Sequence, residues 1–129
     1  MTQLQGTNFE LVGDFMEAMD QEISMNPCFP EEHIQKLRVD LIEEEFDELR
    51  DGIEAKDIVE VADALTDLLY VIYGAGQAFG IDLDECFHEV HSSNMSKLGE
   101  DGRVIKREDG KVMKPNTYFP PDIASVLAV

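Results

Sequence analysis

Apolar residues recur at spacings of three or four along most of the chain up to residue 98, which is typical of amphipathic helices. Thr7 and Glu10 form a capping-box pattern that predicts a helix start, and Gly80 predicts a helix end. Four helices are predicted at about 8–22, 31–51, 56–79 and 82–98. A short connector at 52–56, containing Glu54, would join the second helix to the third.

The pattern changes after Gly99, where the helical period ends. Asp109-Gly110, a dipeptide favoured in tight hairpin turns, lies between short apolar pairs, and three prolines follow. The sequence therefore predicts an all-α, four-helix bundle-like fold with a short C-terminal β-hairpin and an extended tail. One domain is expected over 1–129, with a helical body at 7–98 and the hairpin and tail at 99–129.

The composition narrows the possible functions. The chain has 28 Asp and Glu residues against ten Lys and Arg, a formal net charge of −18, so nucleic-acid binding is not expected. No apolar run reaches the roughly 18 residues of a membrane span, and no membrane contact is expected. The N-terminus shows no signal-peptide pattern, and two cysteines are too few for a disulfide framework. A cytoplasmic protein with reduced thiols is therefore expected.

Carboxylates continue the apolar stripes of the second and third predicted helices. At 100° per residue, the second stripe changes from aliphatic to acidic within one turn without changing face. The third helix is otherwise almost entirely apolar. The acids on these faces are Glu44, Glu45 and Glu48 on the second helix and Glu60, Asp63 and Asp67 on the third.

Acids in line with core aliphatic residues need compensation, because ionised carboxylates are seldom buried alone. Residues 1–96 contain 23 acids and four bases, too few bases to neutralise such a cluster. All-oxygen ligands favour a hard divalent cation, Mg²⁺ or Mn²⁺, over zinc. The alternative is a solvated acidic helix face, which this spacing also produces; the alignment with core residues favours the metal site.

The two acid pairs resemble a known signature. Glu45-Phe-Asp-Glu48 followed by Glu60-Val-Ala-Asp63 is similar to the Glu-x-x-Glu … Glu-x-x-Asp pattern of the all-α nucleotide pyrophosphohydrolases, the MazG-like superfamily. That superfamily includes phosphoribosyl-ATP pyrophosphohydrolase and dimeric MazG-like dUTPases. Arg38–Glu45, Ala62–Val71 and His91–Lys97 resemble it too, so the likeness covers about 30–98.

The resemblance implies a MazG-type fold and a metal-dependent hydrolase. The ligands of Mg²⁺, or of Mn²⁺ in its place, would be Glu45, Glu48, Glu60 and Asp63. Glu44 and Glu45 would be the catalytic acids, with Glu44 either activating water or binding a further ion. The substrate would be a nucleoside triphosphate cleaved between the α and β phosphates to a monophosphate and pyrophosphate, which fits a role in house-cleaning of the nucleotide pool.

Six further residues are candidates for substrate binding: Asp67, Tyr70, Asn94, Lys97, Lys106 and Lys114. Asp67 would bind metal or orient a ligand. Tyr70 would line the base pocket or belong to the core. Asn94 and Lys97 would meet base or phosphate, or form a polar helix end. The two tail lysines would close over the phosphates, of their own or a neighbouring subunit, or lie on an exposed hairpin.

Two other functions compete with this hypothesis. One is phosphoribosyl-ATP pyrophosphohydrolase of histidine biosynthesis, which would leave the tail after Lys97 unexplained. The other is a non-catalytic acidic helical module that binds a basic partner; a requirement for Mg²⁺ would discriminate against it. The third helix is apolar on nearly every side, which, with the resemblance, predicts a homodimer or a dimer of dimers.

Overall fold

The computed structural model describes residues 5–129. Within that range the chain forms five helices: α1 (Asn8–Ala18), α2 (Glu32–Glu54), α3 (Ile58–Phe79), α4 (Leu83–Met95) and α5 (Ile123–Leu127). The same residues contain isolated β-bridges but no regular strand. The prediction of an all-α, bundle-like fold is confirmed. The N-terminal segment on which the lack of a signal-peptide pattern was judged lies partly outside the described residues.

The chain divides into two compact units, Met1–Leu83 and Asp84–Val129. In the first unit, α3 packs against both α1 and α2. The buried apolar side chains of this unit include Val12, Met16, Ala64 and Ala78. The expectation of one domain over the whole chain stays a prediction. None of the helices described combines the length and the apolarity that a bilayer crossing requires.

The start of α1 is as predicted, but its end is not. The Glu10 amide donates to the Thr7 hydroxyl and the Thr7 amide to the Glu10 carboxylate, at 3.1 and 2.9 Å, which completes the capping box. The predicted end at residue 22 is wrong, because Asp20 has a φ of +54° and turns the chain out of the helix. Aspartate tolerates this left-handed conformation better than most residues.

The predicted stop of the second helix at Gly52 is also wrong. Gly52 is buried inside α2, where a Cβ would lie 3.2 Å from the Val61 amide nitrogen and 3.3 Å from the Glu60 Cβ. The glycine therefore allows close helix approach rather than ending the helix. Glu54 consequently belongs to the last turn of α2 and not to a connector. The chain leaves α2 at Lys56, whose φ is +54°.

The start of α3 lies near the predicted residue 56, and its end follows the predicted signal at Gly80. The Asp57 carboxylate accepts from the amides of Val59 and Glu60 at 3.1 and 3.2 Å. Gly80, with a φ of +68°, ends the helix in the left-handed conformation, and the Ile81 amide donates to the Gly76 carbonyl at 2.9 Å.

The loop between α1 and α2 closes the carboxyl end of α3. The Ser24 amide donates to the Gln77 carbonyl at 3.0 Å and its hydroxyl to the Ala78 carbonyl at 2.8 Å. The Cys28 amide donates to the Phe79 carbonyl at 2.9 Å. These bonds satisfy carbonyls in the last turn of α3 that have no partner within the helix. They attach the loop to the carboxyl end of α3.

The second unit contains the predicted hairpin in reduced form. Antiparallel bridges pair Leu98 with Val104 and Lys106 with Val112, and Gly110 adopts a φ of +87° in the turn. The helix α4 ends at Met95, before the predicted residue 98. The tail is not extended throughout, because α5 begins after Asp122, whose carboxylate accepts from the Ser125 amide at 3.2 Å.

Gly80→Ala tests the closure at the end of α3. A Cβ at this position would overlap the backbone carbonyl of Asn26, and the left-handed conformation adds strain of about 1–2 kcal/mol. We expect the free energy of unfolding to fall by about 3 kcal/mol or more, measured by urea denaturation followed by circular dichroism.

Gly102→Ala is the control, because Gly102 has a similar φ of +74° with no atom near its Cβ position. This variant should show the conformational strain alone. Equal losses in the two variants would mean that Gly80 serves its backbone conformation and not the contact with Asn26.

Candidate active site

Three carboxylates converge between α2 and α3. Glu45 and Glu48 lie one turn apart on α2, and Asp67 lies on α3. One oxygen of each lies within 4.8 Å of the others, a spacing at which three side chains can share one metal ion. Glu45 and Asp67 are half-buried, and Glu48 is exposed. The cluster is therefore open to a ligand from one side.

The cluster lacks a compensating positive charge. None of the ion pairs within residues 5–129 involves Glu45, Glu48 or Asp67. One oxygen of Glu45, Oε2, is buried without a hydrogen-bond partner. A buried acceptor without a partner costs free energy, so this atom is suited to bind a cation.

The pKa values of the clustered acids also indicate that no positive charge lies close to them. Burial raises the pKa of Glu45 to about 7, and Glu48, Asp67 and Asp63 add to the shift. Burial also raises the pKa of Asp67, with further contributions from the charges of Asp63 and Glu48. Opposite charge would lower both values. The donor set and the unpaired oxygen thus fit a hard divalent cation.

The antiparallel register of α2 and α3 decides which acids meet. Gly52 faces Glu60 and Val61 near one end of the pair, and Arg38 faces Gly74 near the other. Glu45 and Asp67 lie between these two crossings. Glu60 is therefore opposite Gly52, one turn beyond Glu48.

The structure thus brings together two of the four predicted ligands, Glu45 and Glu48, and adds Asp67. Asp63 is exposed but close enough to raise the pKa values of Glu45 and Asp67. Glu60 and Glu44 are exposed and lie outside the three-residue cluster. The roles of these acids as ligands or catalytic groups stay predictions.

The remaining predicted residues lie in different parts of the chain. Tyr70 is one turn beyond Asp67 on α3. The others belong to the second unit: Asn94 is exposed on α4, Lys97 is half-buried in the turn after it, Lys106 pairs in a bridge, and the Lys114 ammonium lies 4.8 Å from the Tyr118 ring centre. Their parts in substrate binding stay predictions.

A cavity of about 220 Å³ lies in the first unit, among α1, α2 and α3. Phe15 and Tyr70 line it and contact each other edge to face, with ring centres 5.5 Å apart. Arg38 and Gln21 also line it. The Tyr70 ring therefore belongs to a cavity wall.

Sequence reasoning missed Arg38 as a functional candidate. Arg38 is only 6% exposed, and its Nη2 donates to Gln21 Oε1 at 3.3 Å. Its Nε is buried with no hydrogen-bond partner. One signal was present in the sequence: Arg38 lies seven residues before Glu45, two turns earlier on the same face of the helix.

Comparison with known proteins agrees with this geometry. The family model described as phosphoribosyl-ATP pyrophosphohydrolase matches residues 12–94, which include the three clustered acids and Arg38. An uncharacterized protein of Acanthamoeba polyphaga mimivirus is 40% identical over 84 residues, covering 62% of this chain. The chain spans about a third of that protein's length, since the matched part is 34% of it. With its acid cluster inside the matched region, the chain belongs to the phosphoribosyl-ATP pyrophosphohydrolase family, part of the MazG-like nucleoside triphosphate pyrophosphohydrolase superfamily.

Proposed function

We propose that the chain hydrolyses a nucleoside or deoxynucleoside triphosphate between the α and β phosphates, giving a monophosphate and pyrophosphate. The observation that carries this proposal is the uncompensated cluster of Glu45, Glu48 and Asp67. The family match supports a pyrophosphohydrolase-type activity. A role in house-cleaning of the nucleotide pool follows from such a reaction.

Glu45, Glu48 and Asp67 would hold the metal, with Asp63 and Glu60 as the next acids along α3. Oxygen ligands favour Mg²⁺, and Mn²⁺ could replace it. When bound, such an ion neutralises phosphate charge and lowers the pKa of water. The Glu45 oxygen without a hydrogen-bond partner supports this assignment.

The reaction itself needs no protein nucleophile. A water oxygen forms a bond to the α phosphorus, the bond from that phosphorus to the bridging oxygen breaks, and pyrophosphate leaves. We assign the proton released by the water to Glu45, which belongs to the cluster, or to Glu44, which is next to it in the sequence, because a carboxylate can accept it. Lysines at positions 97, 106 and 114 and the amide of Asn94 are proposed to bind the phosphates or base.

A second candidate substrate is phosphoribosyl-ATP, which the description of the matching family favours. The bond broken would be the same. The match ends at residue 94, however, and the bridges, the tail and α5 lie beyond it. This extra segment supports a different substrate, and direct comparison of phosphoribosyl-ATP with nucleoside triphosphates as substrates would decide.

We infer that the chain assembles as a homodimer or a dimer of dimers. Several large apolar side chains on α2 and α3 are exposed, notably Phe46, Ile53, Ile58, Val59, Leu65 and Leu69. A second copy could cover them through a two-fold interface. We place the enzyme in the cytoplasm, where thiols such as those of Cys28 and Cys86, neither of them in a disulfide, stay reduced.

Glu48→Gln tests the role of the cluster. The substitution keeps the size of the side chain and removes one charge. With Mg²⁺ present, we expect kcat/KM for pyrophosphate release to fall by about two orders of magnitude or more. The metal-free protein should stay folded, and its melting temperature should hold or rise because repulsion is relieved.

Glu54→Gln is the matched control, since it removes the same charge from the exposed last turn of α2. Its activity should stay within about twofold of the parent chain. Unchanged turnover in both variants would rule out the cluster as the metal site. Release of orthophosphate instead of pyrophosphate would contradict the proposed reaction.

The raised pKa of Glu45 predicts how metal binding depends on pH. Below pH 7 a cation must increasingly displace the Glu45 proton, so Mg²⁺ affinity should fall by about fivefold as the pH drops from 7 to 6 and by nearly tenfold per unit below that. Isothermal titration calorimetry at several pH values measures this slope. Glu45→Gln should reduce the slope, and Asp67, whose pKa is also raised, would supply the remainder. A slope unchanged in that variant would assign the proton to another group.

The same shift has a consequence for the metal-free protein. A carboxyl whose pKa is higher in the folded state binds more protons there, so folding becomes more favourable as the pH falls from 7 toward the ordinary value of 4.5. Without metal, we expect a higher melting temperature at pH 5.5 than at pH 7.5. Excess Mg²⁺ should reverse this order by stabilising the folded state at the higher pH.

Val59→Glu tests the assembly. Val59 is 71% exposed at the start of α3, and a charge there should convert the oligomer to a monomer in light scattering after size-exclusion chromatography. Met25→Glu, in a loop residue that is 88% exposed, is the control and should leave the mass unchanged. A parent chain that is already monomeric would refute the inferred interface.

A further inference from the structure

Arg38 is a buried cation that forms no ion pair within the described part of the chain. It is in no ion pair with any carboxylate of residues 5–129, although the chain has 28 acids. Its one hydrogen bond to a side chain, to Gln21 Oε1, is long at 3.3 Å, and its Nε has no partner. A guanidinium in such surroundings costs free energy that a ligand accepting its hydrogen bonds would offset.

The fold makes room for this guanidinium. A Cβ at Gly74 would lie 2.8 Å from Arg38 Nη1 and 3.7 Å from Met16 Sδ. A side chain at this position would require the guanidinium to shift, so Gly74 leaves the space that Arg38 occupies between α2 and α3. The group lines the 220 Å³ cavity whose other walls include Phe15 and Tyr70.

The cavity lies along the same helix pair as the acid cluster. Arg38 precedes Glu45 by two turns of α2, about 10 Å along the helix axis. Tyr70 follows Asp67 by one turn of α3. This separation is comparable to that between the base and the first phosphates of a nucleotide. At about 220 Å³, the cavity is smaller than the roughly 300–1,000 Å³ of sites that enclose a whole drug-sized ligand, so it suits one part of a nucleotide.

Arg38 and Gln21, which meet in the cavity, present hydrogen-bond donors to it. A guanidinium has no acceptor, so the Gln21 oxygen must face Arg38 and the Gln21 amide nitrogen is left for the cavity. The Phe15 and Tyr70 rings offer an aromatic surface for a planar group. A ligand that presents an oxygen here accepts hydrogen bonds from these donors. A ligand that presents an amino group places a second donor opposite them, and no hydrogen bond forms.

We propose that this cavity takes the nucleobase and that Arg38, with Gln21, selects bases with a carbonyl oxygen at the position where adenine and cytosine carry an amino group. The proposal rests on the proposed function and names the substrate class within it. Hypoxanthine and guanine present such an oxygen at position 6, and uracil presents one at position 4. Arginine pairs in this way with the oxygen and ring nitrogen of guanine in DNA.

A phosphate is the competing occupant, because guanidinium also binds phosphate. The cavity favours the base, since its other walls include Phe15, Met16, Leu41 and Val71. A phosphate would need further donors in place of these apolar side chains.

Two pairs of substrates that differ only in this group test the proposal: dITP against dATP, and dUTP against dCTP. With Mg²⁺ present, kcat/KM should be at least about tenfold higher for the carbonyl member of each pair. Arg38→Met, which keeps an unbranched apolar stem and removes the hydrogen-bond donors, should bring both ratios close to one. Equal turnover within both pairs by the parent chain would overturn the proposal, as would ratios that survive in Arg38→Met.

Arg50→Met is the matched control. Arg50 lies on the same helix, with its guanidinium carbon 4.5 Å from the Phe46 ring centre. Its replacement by methionine should leave both ratios unchanged. Gln21→Glu is a second test should Arg38→Met fail to fold, because the new carboxylate gives the guanidinium a partner inside the protein. It too should lower both ratios.

The outcomes separate this proposal from the proposed function. If Arg38→Met lowers kcat/KM equally for all four nucleotides, Arg38 meets the phosphates and the base proposal is wrong while the hydrolase stands. Binding of dIMP and dAMP, measured by calorimetry, needs no hydrolysis. If no triphosphate is hydrolysed, the proposed function fails; tighter binding of dIMP that is lost in Arg38→Met still supports the base site, and equal binding of the two monophosphates overturns it.

Discussion

The register between α2 and α3 is the constraint on which the rest of the first unit depends. Gly52 and Gly74 allow close contact near the two ends of this antiparallel pair, against Val61 and Arg38. Every position between these contacts is thereby fixed. Shifting α2 by one residue would rotate its acids by about 100° away from α3 and separate Glu45 from Asp67. The acid cluster is thus a consequence of helix packing rather than of local sequence.

The helix pair consequently holds two opposite charges that form no ion pair with any of residues 5–129. Glu45 has a buried oxygen without a hydrogen bond, and Arg38 has a buried nitrogen without one. They lie two turns apart on one helix face, too far to neutralise each other by direct contact. A single ligand that is negative near the metal-binding acids and accepts hydrogen bonds near Arg38 would satisfy both ends.

The elements with local signals were predictable from the sequence, and those set by packing were not. Thr7 and Gly80 predicted two helix ends, because each acts on backbone groups a few residues away. Gly52 led to a wrong helix end, because the sequence does not distinguish a glycine that allows helix contact from one that ends a helix. The periodicity placed Glu45 and Glu48 in line with the apolar stripe of α2, but only the register between two helices could select Asp67 over Glu60 as their neighbour. Arg38 was missed because an arginine side chain is ordinarily expected to be exposed. Its burial depends on the space that Gly74 leaves, which the sequence alone does not reveal.

The short connector at Ala55–Asp57 also bears on the order of folding. The α2–α3 pair closes through three residues, whereas the bond from Ser24 to Ala78 joins positions 54 residues apart. Local closure costs less chain entropy, so the α2–α3 hairpin is expected to form before α1 docks. The acids of both helices then approach one another before the cavity exists. Their repulsion opposes this early step, and dissolved salt screens it. Ionic strength should consequently act on the folding rate of this chain more than on its unfolding rate.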